Sequence, residues 1–247
     1  MAKKRRSKWL IFLIFFIVIL PLLYLFFVPD LSKLKKGTFK KTALMEFREQ
    51  ESKEKGKKFR VNQVWVSLSK ISPFLVKAVL IGEDDKFWTH EGFDYEAIQK
   101  ALERDIKAGK FKFGGSTISQ QLAKNLYLSP AKNPFRKIRE AIVTWRMERA
   151  LSKRRILELY LNVVEWGDGI FGVEAASRHY YGKPASELTP PESSRLAAVL
   201  PNPRKYSPLS DQRYVVNRSN LIYNVMIKRG IVVPEYEEAA QTKEDLR

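Results

Sequence analysis

A carboxylic acid at the end of an apolar run, beside aromatic rings, can be pushed towards proton transfer. The stretch GEDDKFWTHEGFDYEAI, residues 82–98, offers one: Glu83 follows FLVKAVLIG and precedes Phe87 and Trp88. Held between an apolar helix and those rings, the carboxylate is partly desolvated, which raises its pKa towards the range of a general base. Asp84 and His90 share the stretch, where a solvated helix end with a capping histidine is the plain alternative. A metal site is the weaker reading. The acids show no ligand spacing, and the other histidine, His179, stands in another helix with no second ligand near it in sequence.

Two further blocks carry chemistry. In FGGSTISQQLAKN, Gly114 and Gly115 let backbone approach a ligand, and Ser116 or Thr117 opens a helix with outward N–H groups. Ser116, Gln120 and Lys124 fall along one helical face, with Gln121 and Asn125 on the same helix. This is a seat for sugar or phosphate, or simply an N-cap with a polar outer face. It is no Walker loop, since no Gly-Lys-Ser/Thr follows. KNPFRKIREA places Arg136, Lys137 and Arg139 around Glu140. Lys137 and Glu140 form either a surface i,i+3 pair or, read with the other blocks, a cation for an anionic leaving group and a second carboxylate. SLSK, Ser67–Lys70, matches the Ser-x-x-Lys of acyl enzymes by coincidence, as no later Ser-Asp-Asn or Lys-Thr-Gly accompanies it.

Elements must hold these groups in place. The chain of 247 residues allows one domain plus an appendage, and it has no cysteine, which excludes disulfides, thiolate zinc sites and cysteine nucleophiles. Its net charge of +18 suits nucleic acid, an anionic membrane or a polyanionic substrate. No nucleic-acid-binding signature accompanies that charge. Behind a basic tail, residues 1–8, the run from Trp9 to Val28 has no charged residue. As a helix it reaches roughly 30 Å, a bilayer's apolar thickness, and it reads as an uncleaved transmembrane anchor. Lysines flank both ends, so the positive-inside rule is close to a tie; the dense, acid-free tail favours a cytoplasmic N-terminus.

Residues 29–58 read as a polar juxtamembrane helix or linker whose lysines suit anionic headgroups, and FRVNQVWV, 59–66, as a strand or hairpin. From Ser72 onward helices dominate. Ser72-Pro73 opens one, and Asp94 caps the next, whose Ile98, Leu102 and Ile106 line one face up to Gly109. Ile118, Leu122 and Leu126 share a face, as do Ile138, Ile142 and Trp145 after Asn133-Pro134. Ser152 starts KRRILELYLNVV, Thr189 to Glu192 is a capping box, and a last long helix covers about 211–229. The expected domain is mainly α, over 59–230, with a C-terminal helix or tail at 231–247.

Together the blocks resemble a known family. Glu83 to Gly92 (E-D-x-x-F-x-x-H-x-G), Gly114 to Gln121 and Arg136 to Glu140 (R-K-x-x-E) resemble three signatures of the peptidoglycan glycosyltransferases. Lys153 to Ser177 and Glu192 to Pro208 resemble the fourth and fifth, in family order. The EWGDGIFG wording and the lack of a transpeptidase domain are most similar to the monofunctional, membrane-anchored form. The resemblance implies a lysozyme-like helical fold and polymerisation of lipid II into glycan strands by inverting transfer of the growing chain to the 4-hydroxyl of an incoming lipid II. It implies Glu83 as general base and Glu140 as second carboxylate. Asp84, Ser116, Thr117, Gln120, Gln121, Asn125 and Arg136 become candidate substrate contacts, with Lys124 and Lys137 near the pyrophosphate. Lys132 stands where members often carry arginine, and lysine loses the bidentate fork.

No cofactor is required under this reading. A divalent cation, Mg2+ or Mn2+, can assist the pyrophosphate without a protein metal site. The implied partners are lipid II, the nascent glycan, membrane lipids and other cell-wall synthesis or division proteins, with no nucleic acid. The implied location is the bacterial inner membrane, with the catalytic domain on the extracytoplasmic side. Two rivals stand beside this reading: a membrane-anchored lytic glycosidase of the same kind of fold, and a non-catalytic cell-wall scaffold.

Overall fold

The computed structural model of the chain describes Phe15 and residues 30–39, 41–109, 115–130 and 135–233. The expected span at 9–28 lies outside them apart from Phe15, as do Gly114, Lys132 and most of 231–247. Among the described residues no helix is long and apolar enough to cross a membrane. The described residues are mainly helical: α1 (Ala43–Glu54), α2 (Pro73–Glu83), α3 (Tyr95–Ala108), α4 (Ile118–Tyr127), α5 (Arg136–Ala150), α6 (Lys153–Val163), α7 (Val173–Tyr181), α8 (Pro190–Val199) and α9 (Arg213–Lys228). A small sheet, β1 (Asn62–Gln63), β2 (Glu165–Gly167) and β3 (Ile170–Phe171), runs in the order β1-β3-β2. β1 lies parallel to β3 and β2 antiparallel.

Local chemistry explains most boundaries. The Asp94 side chain accepts from Ala97 N–H at the start of α3, and the Ser152 hydroxyl from Arg155 N–H at the start of α6. Thr189 and Glu192 form the expected capping box on α8. Each cap satisfies helix-end N–H groups that would otherwise lack partners. Ser72 precedes a proline at the first turn of α2 as expected, but its hydroxyl donates to Leu188 C=O at 2.7 Å and ties α2 to the α8 approach.

The core gathers around α4 and α6. Ile118 and Leu122 are fully buried and Leu126 nearly so, as their spacing predicts, and Ile156, Leu157 and Tyr160 face them. Two other apolar stripes go elsewhere. On α3, Leu102 is 50% and Ile106 68% exposed, while Ala101 and Asp105 turn inward. On α5, Ile138 and Trp145 are exposed, and the buried face is Glu140, Val143, Thr144 and Met147. A period of 3.6 marks a stripe without saying what covers it.

The segment expected to be a strand or hairpin pairs only at Asn62–Gln63. At Val66 the Asn162 side chain takes over from a neighbouring strand: its Oδ1 accepts from Val66 N–H and its Nδ2 donates to Val66 C=O, both at 2.9 Å. Asn162 is fully buried. Asn162→Ala leaves both Val66 groups without those partners, at about 1–3 kcal/mol each. The expected result is a midpoint of thermal unfolding several degrees lower, read by circular dichroism; an unchanged midpoint contradicts this role.

The stretch expected to be a juxtamembrane helix or linker is packed against the domain. Leu31 and Leu34 are buried, Arg155 Nε donates to Leu34 C=O at 2.8 Å, and Phe39 meets Tyr127 of α4 edge-on. Met45 of α1 is buried against Phe171. The helix expected in this stretch thus forms part of the wall around α4.

Candidate active site

Glu83 ends α2, and three residues fix its carboxylate. Gln121 Nε2 of α4 donates to Oε2 at 2.8 Å, and Tyr160 OH of α6 donates to Gln121 Oε1 at 3.1 Å. Arg218 Nη2 of α9 donates to Oε1 at 3.2 Å and to Gly82 C=O at 2.7 Å. The Glu83 side chain is 9% exposed. Burial pushes its pKa up; the hydrogen bond from Gln121 and the charges of Arg218 and Lys124 pull it back. A carboxylate caught between these opposing effects suits a base that must take a proton and release it.

Arg218 and Tyr160 were not singled out in the sequence. Arg218 does carry a signal there: it stands on α9 among Val215, Ser219, Ile222 and Met226, the helix's buried face. An arginine at core spacing needs an anionic partner. Replacing it gives a pH prediction. Without Arg218 the burial of Glu83 is less opposed, so its pKa rises further. A base works ionised, so the acidic limb of the rate profile in Arg218→Met moves to higher pH, with activity recovering at alkaline pH. A limb that stays in place or moves lower contradicts the pairing.

Asp84 and His90 form the turn behind the base. His90 Nε2 lies 2.9 Å from Asp84 Oδ1, and Ile118 N–H donates to Asp84 Oδ2 at 2.8 Å. Gly92 N–H donates to His90 Nδ1 at 3.0 Å, which leaves Nε2 to donate to Asp84. Asp84 is buried and both its oxygens are engaged. What it gives the groove is the position of α4's first turn rather than a free oxygen. Gly92 has φ +92°, and a Cβ there would lie 2.9 Å from Glu148 Cγ. Only glycine fits this turn.

On α4 the division of labour differs from the expected face. Thr117 and Gln120 close a capping box and are buried, and the Thr117 hydroxyl donates to Gly92 C=O at 2.7 Å. The side chains that line the groove are Gln121, Lys124 and Asn125. Gly115 has a different reason from the one expected: a Cβ there would lie 3.1 Å from Ile98 Cα, so its close approach is to the α3 backbone. Burial pushes the Lys124 pKa down, the Glu140 carboxylate opposes this, and Arg136 and Lys137 add to the lowering. Lys137 Nζ pairs with Glu140 Oε1 and lies 3.3 Å from Ser116 Oγ. Glu140 is 4% exposed. Arg136 opens onto the same groove as Lys124.

The structure therefore lines one groove with Lys124 and Arg136 and brings Lys137 and the carboxylates of Glu83 and Glu140 within electrostatic reach of Lys124. Among the described residues no three His, Asp or Glu side chains gather as a metal site. That arrangement can accept a proton at one end and stabilise developing negative charge at the other.

Comparison with known proteins agrees with this chemistry. A family model described as Transglycosylase matches residues 50–227. The chain is 44% identical over 230 residues, 92% of its own length and 98% of the relative's, to a biosynthetic peptidoglycan transglycosylase of Nitrosospira multiformis. It is 56% identical over 165 residues to the protein of that name from Azoarcus sp., covering 67% of this chain and 71% of the relative. A third, from Janthinobacterium sp., is 42% identical over 219 residues, 87% of this chain and 95% of the relative. Matched across most of its length by both the family and these relatives, the chain belongs to the transglycosylase family.

Proposed function

We infer that the protein is a peptidoglycan glycosyltransferase that polymerises lipid II into glycan strands. The observation that carries this reading is the pairing, within a transglycosylase-family chain, of a largely desolvated Glu83 carboxylate held by Gln121 and Arg218 with a groove lined by Lys124 and Arg136, Lys137 standing near Lys124. In the proposed reaction Glu83 takes the proton of the acceptor's 4-hydroxyl. The freed oxygen attacks the anomeric carbon of the growing chain from the face opposite the diphosphate. The bond from that carbon to the diphosphate oxygen breaks, and the diphosphate leaves with the electron pair. Lys124, Lys137 and Arg136 hold the developing charge, where preorganised cations contribute most. Glu140 keeps Lys137 aimed at the groove.

A Mg2+ or Mn2+ ion, where used, would travel on the diphosphate oxygens. The lysozyme-like description of the helical domain and the anchor at 9–28 belong to the same proposal. The exposed apolar side of α3 supports a domain lying against a bilayer, since large exposed apolar residues mark such surfaces.

Cleavage of finished glycan, the rival activity, has a neutral sugar as leaving group and no use for three cations. The test is to give the purified protein labelled lipid II and, separately, finished glycan. Polymer from the first and no soluble fragments from the second supports the proposal; fragments from the second reverse it.

A further inference from the structure

The groove that Lys124 and Arg136 line is a cavity of about 230 Å³, and Arg48 and Glu165 belong to the same wall. Glu165, on β2, is 4% exposed. Arg48 of α1 directs Nε, at 3.1 Å, and Nη2, at 2.9 Å, to the same oxygen, Oε2. Its Nη1 turns to Glu51 at 3.2 Å, and Arg204 backs Glu51 at 2.9 Å. An arginine fork commonly spans both oxygens of a carboxylate. Here Oε1 is left buried, with no hydrogen-bond partner among the described residues. Burial pushes the Glu165 pKa up against the pull of Arg48. A buried acceptor without a donor is unfavourable, and native interiors rarely leave one.

The lining says what can supply that donor. An anion is repelled by Glu165 and has its own seat at Lys124 and Arg136. The occupant at the Glu165 end must therefore be neutral, bear an O–H or amide N–H, and be joined to an anion at the other end. Leu200, Pro201 and Pro203 offer it apolar surface for C–H groups. The whole groove, its cationic end included, lies below the roughly 300 Å³ at which pockets for larger ligands begin, so beside an anion at Lys124 and Arg136 it has room for no more than one sugar ring.

We propose that Glu165 reads the sugar joined to the diphosphate: its free Oε1 accepts a hydrogen bond from the sugar's 6-hydroxyl or its acetamido N–H. The proposal rests on the polymerase reading above and adds a specificity residue to its groove. Arg48 is a positioning residue that holds Glu165. Arg48 lies before residue 50, where the family match begins, so this wall is built partly by chain outside the matched region.

The test compares lipid-linked donors that lack one hydrogen-bond donor each, a 6-deoxy sugar and an acetoxy in place of the acetamido group. With the wild-type full chain, one of them should lose about tenfold in kcat/KM, the size of one hydrogen bond to a charged group. Glu165→Gln keeps a carbonyl for Arg48 and turns an N–H towards the sugar. It should lose about tenfold on the natural donor and show no further loss on that same analogue. Wild-type indifference to both analogues overturns the proposal without any variant, and equal discrimination by Glu165→Gln overturns it as well. Loss of coupling with unmodified lipid II by the wild type would overturn the functional reading itself, whereas coupling without discrimination overturns this proposal alone.

Discussion

Glu83→Gln abolishes lipid II polymerisation while the protein remains folded. The amide cannot take the acceptor's proton, and losing a positioned general base lowers turnover by about 10²- to 10⁴-fold, roughly 3–5 kcal/mol on the barrier. Folding is spared because the replacement has the same shape and removes a charge that burial already disfavours. The amide carbonyl still accepts from Gln121 or Arg218. Two measurements check this: initial rates on labelled lipid II and the thermal midpoint of the same preparation. Turnover near the wild-type rate from a folded Glu83→Gln protein removes Glu83 from the role of base.

Lys124→Ala should lower turnover by about 10²- to 10³-fold, the usual effect of removing one preorganised group from a developing anion. Substrate binding should weaken much less. The lysine is largely withdrawn from solvent on α4, one turn beyond Gln121, and its neighbours Arg136 and Lys137 make it harder to keep charged. A dianionic leaving group relieves that repulsion, most strongly as the bond breaks. The comparison requires kcat and lipid II affinity measured separately at one salt concentration. Equal losses in both assign Lys124 to ground-state binding, and unchanged turnover removes it from the leaving-group site.

Short-range chemistry made much of this site legible in the sequence. Asp94, Ser152 and the Thr189–Glu192 box mark helix starts because each cap acts across about three residues, and the structure keeps all of them. Glu83 stood out because an acid ends an apolar run, and its carboxylate is indeed largely withdrawn from solvent at the end of α2. The roles of neighbours were harder to read. Gln120 and Gln121 are adjacent and identical in chemistry, yet one closes a capping box and the other holds Glu83. Which of them faces the groove depends on how α4 rotates against α6.

Partners distant along the chain were not legible at all. Arg218 is 135 residues from Glu83, and Glu165 is 117 from Arg48. Their pairing follows from α9 crossing α2 and from α1 folding back on β2. The Ile98, Leu102 and Ile106 stripe shows the opposite case. Its periodicity was plain, but the residues face outward, because the buried side of α3 is supplied by Ala101 and Asp105.

The central claim, that this chain joins lipid II units at the expense of their diphosphates, is tested most directly by counting both products of one reaction. Purified full-length protein is given lipid II labelled in its sugar, and polymer and free lipid diphosphate are measured over time. The account predicts one lipid diphosphate released for each new linkage and a polymer that a muramidase degrades completely. Lipid II left intact at every protein concentration, or diphosphate released without polymer, would contradict it.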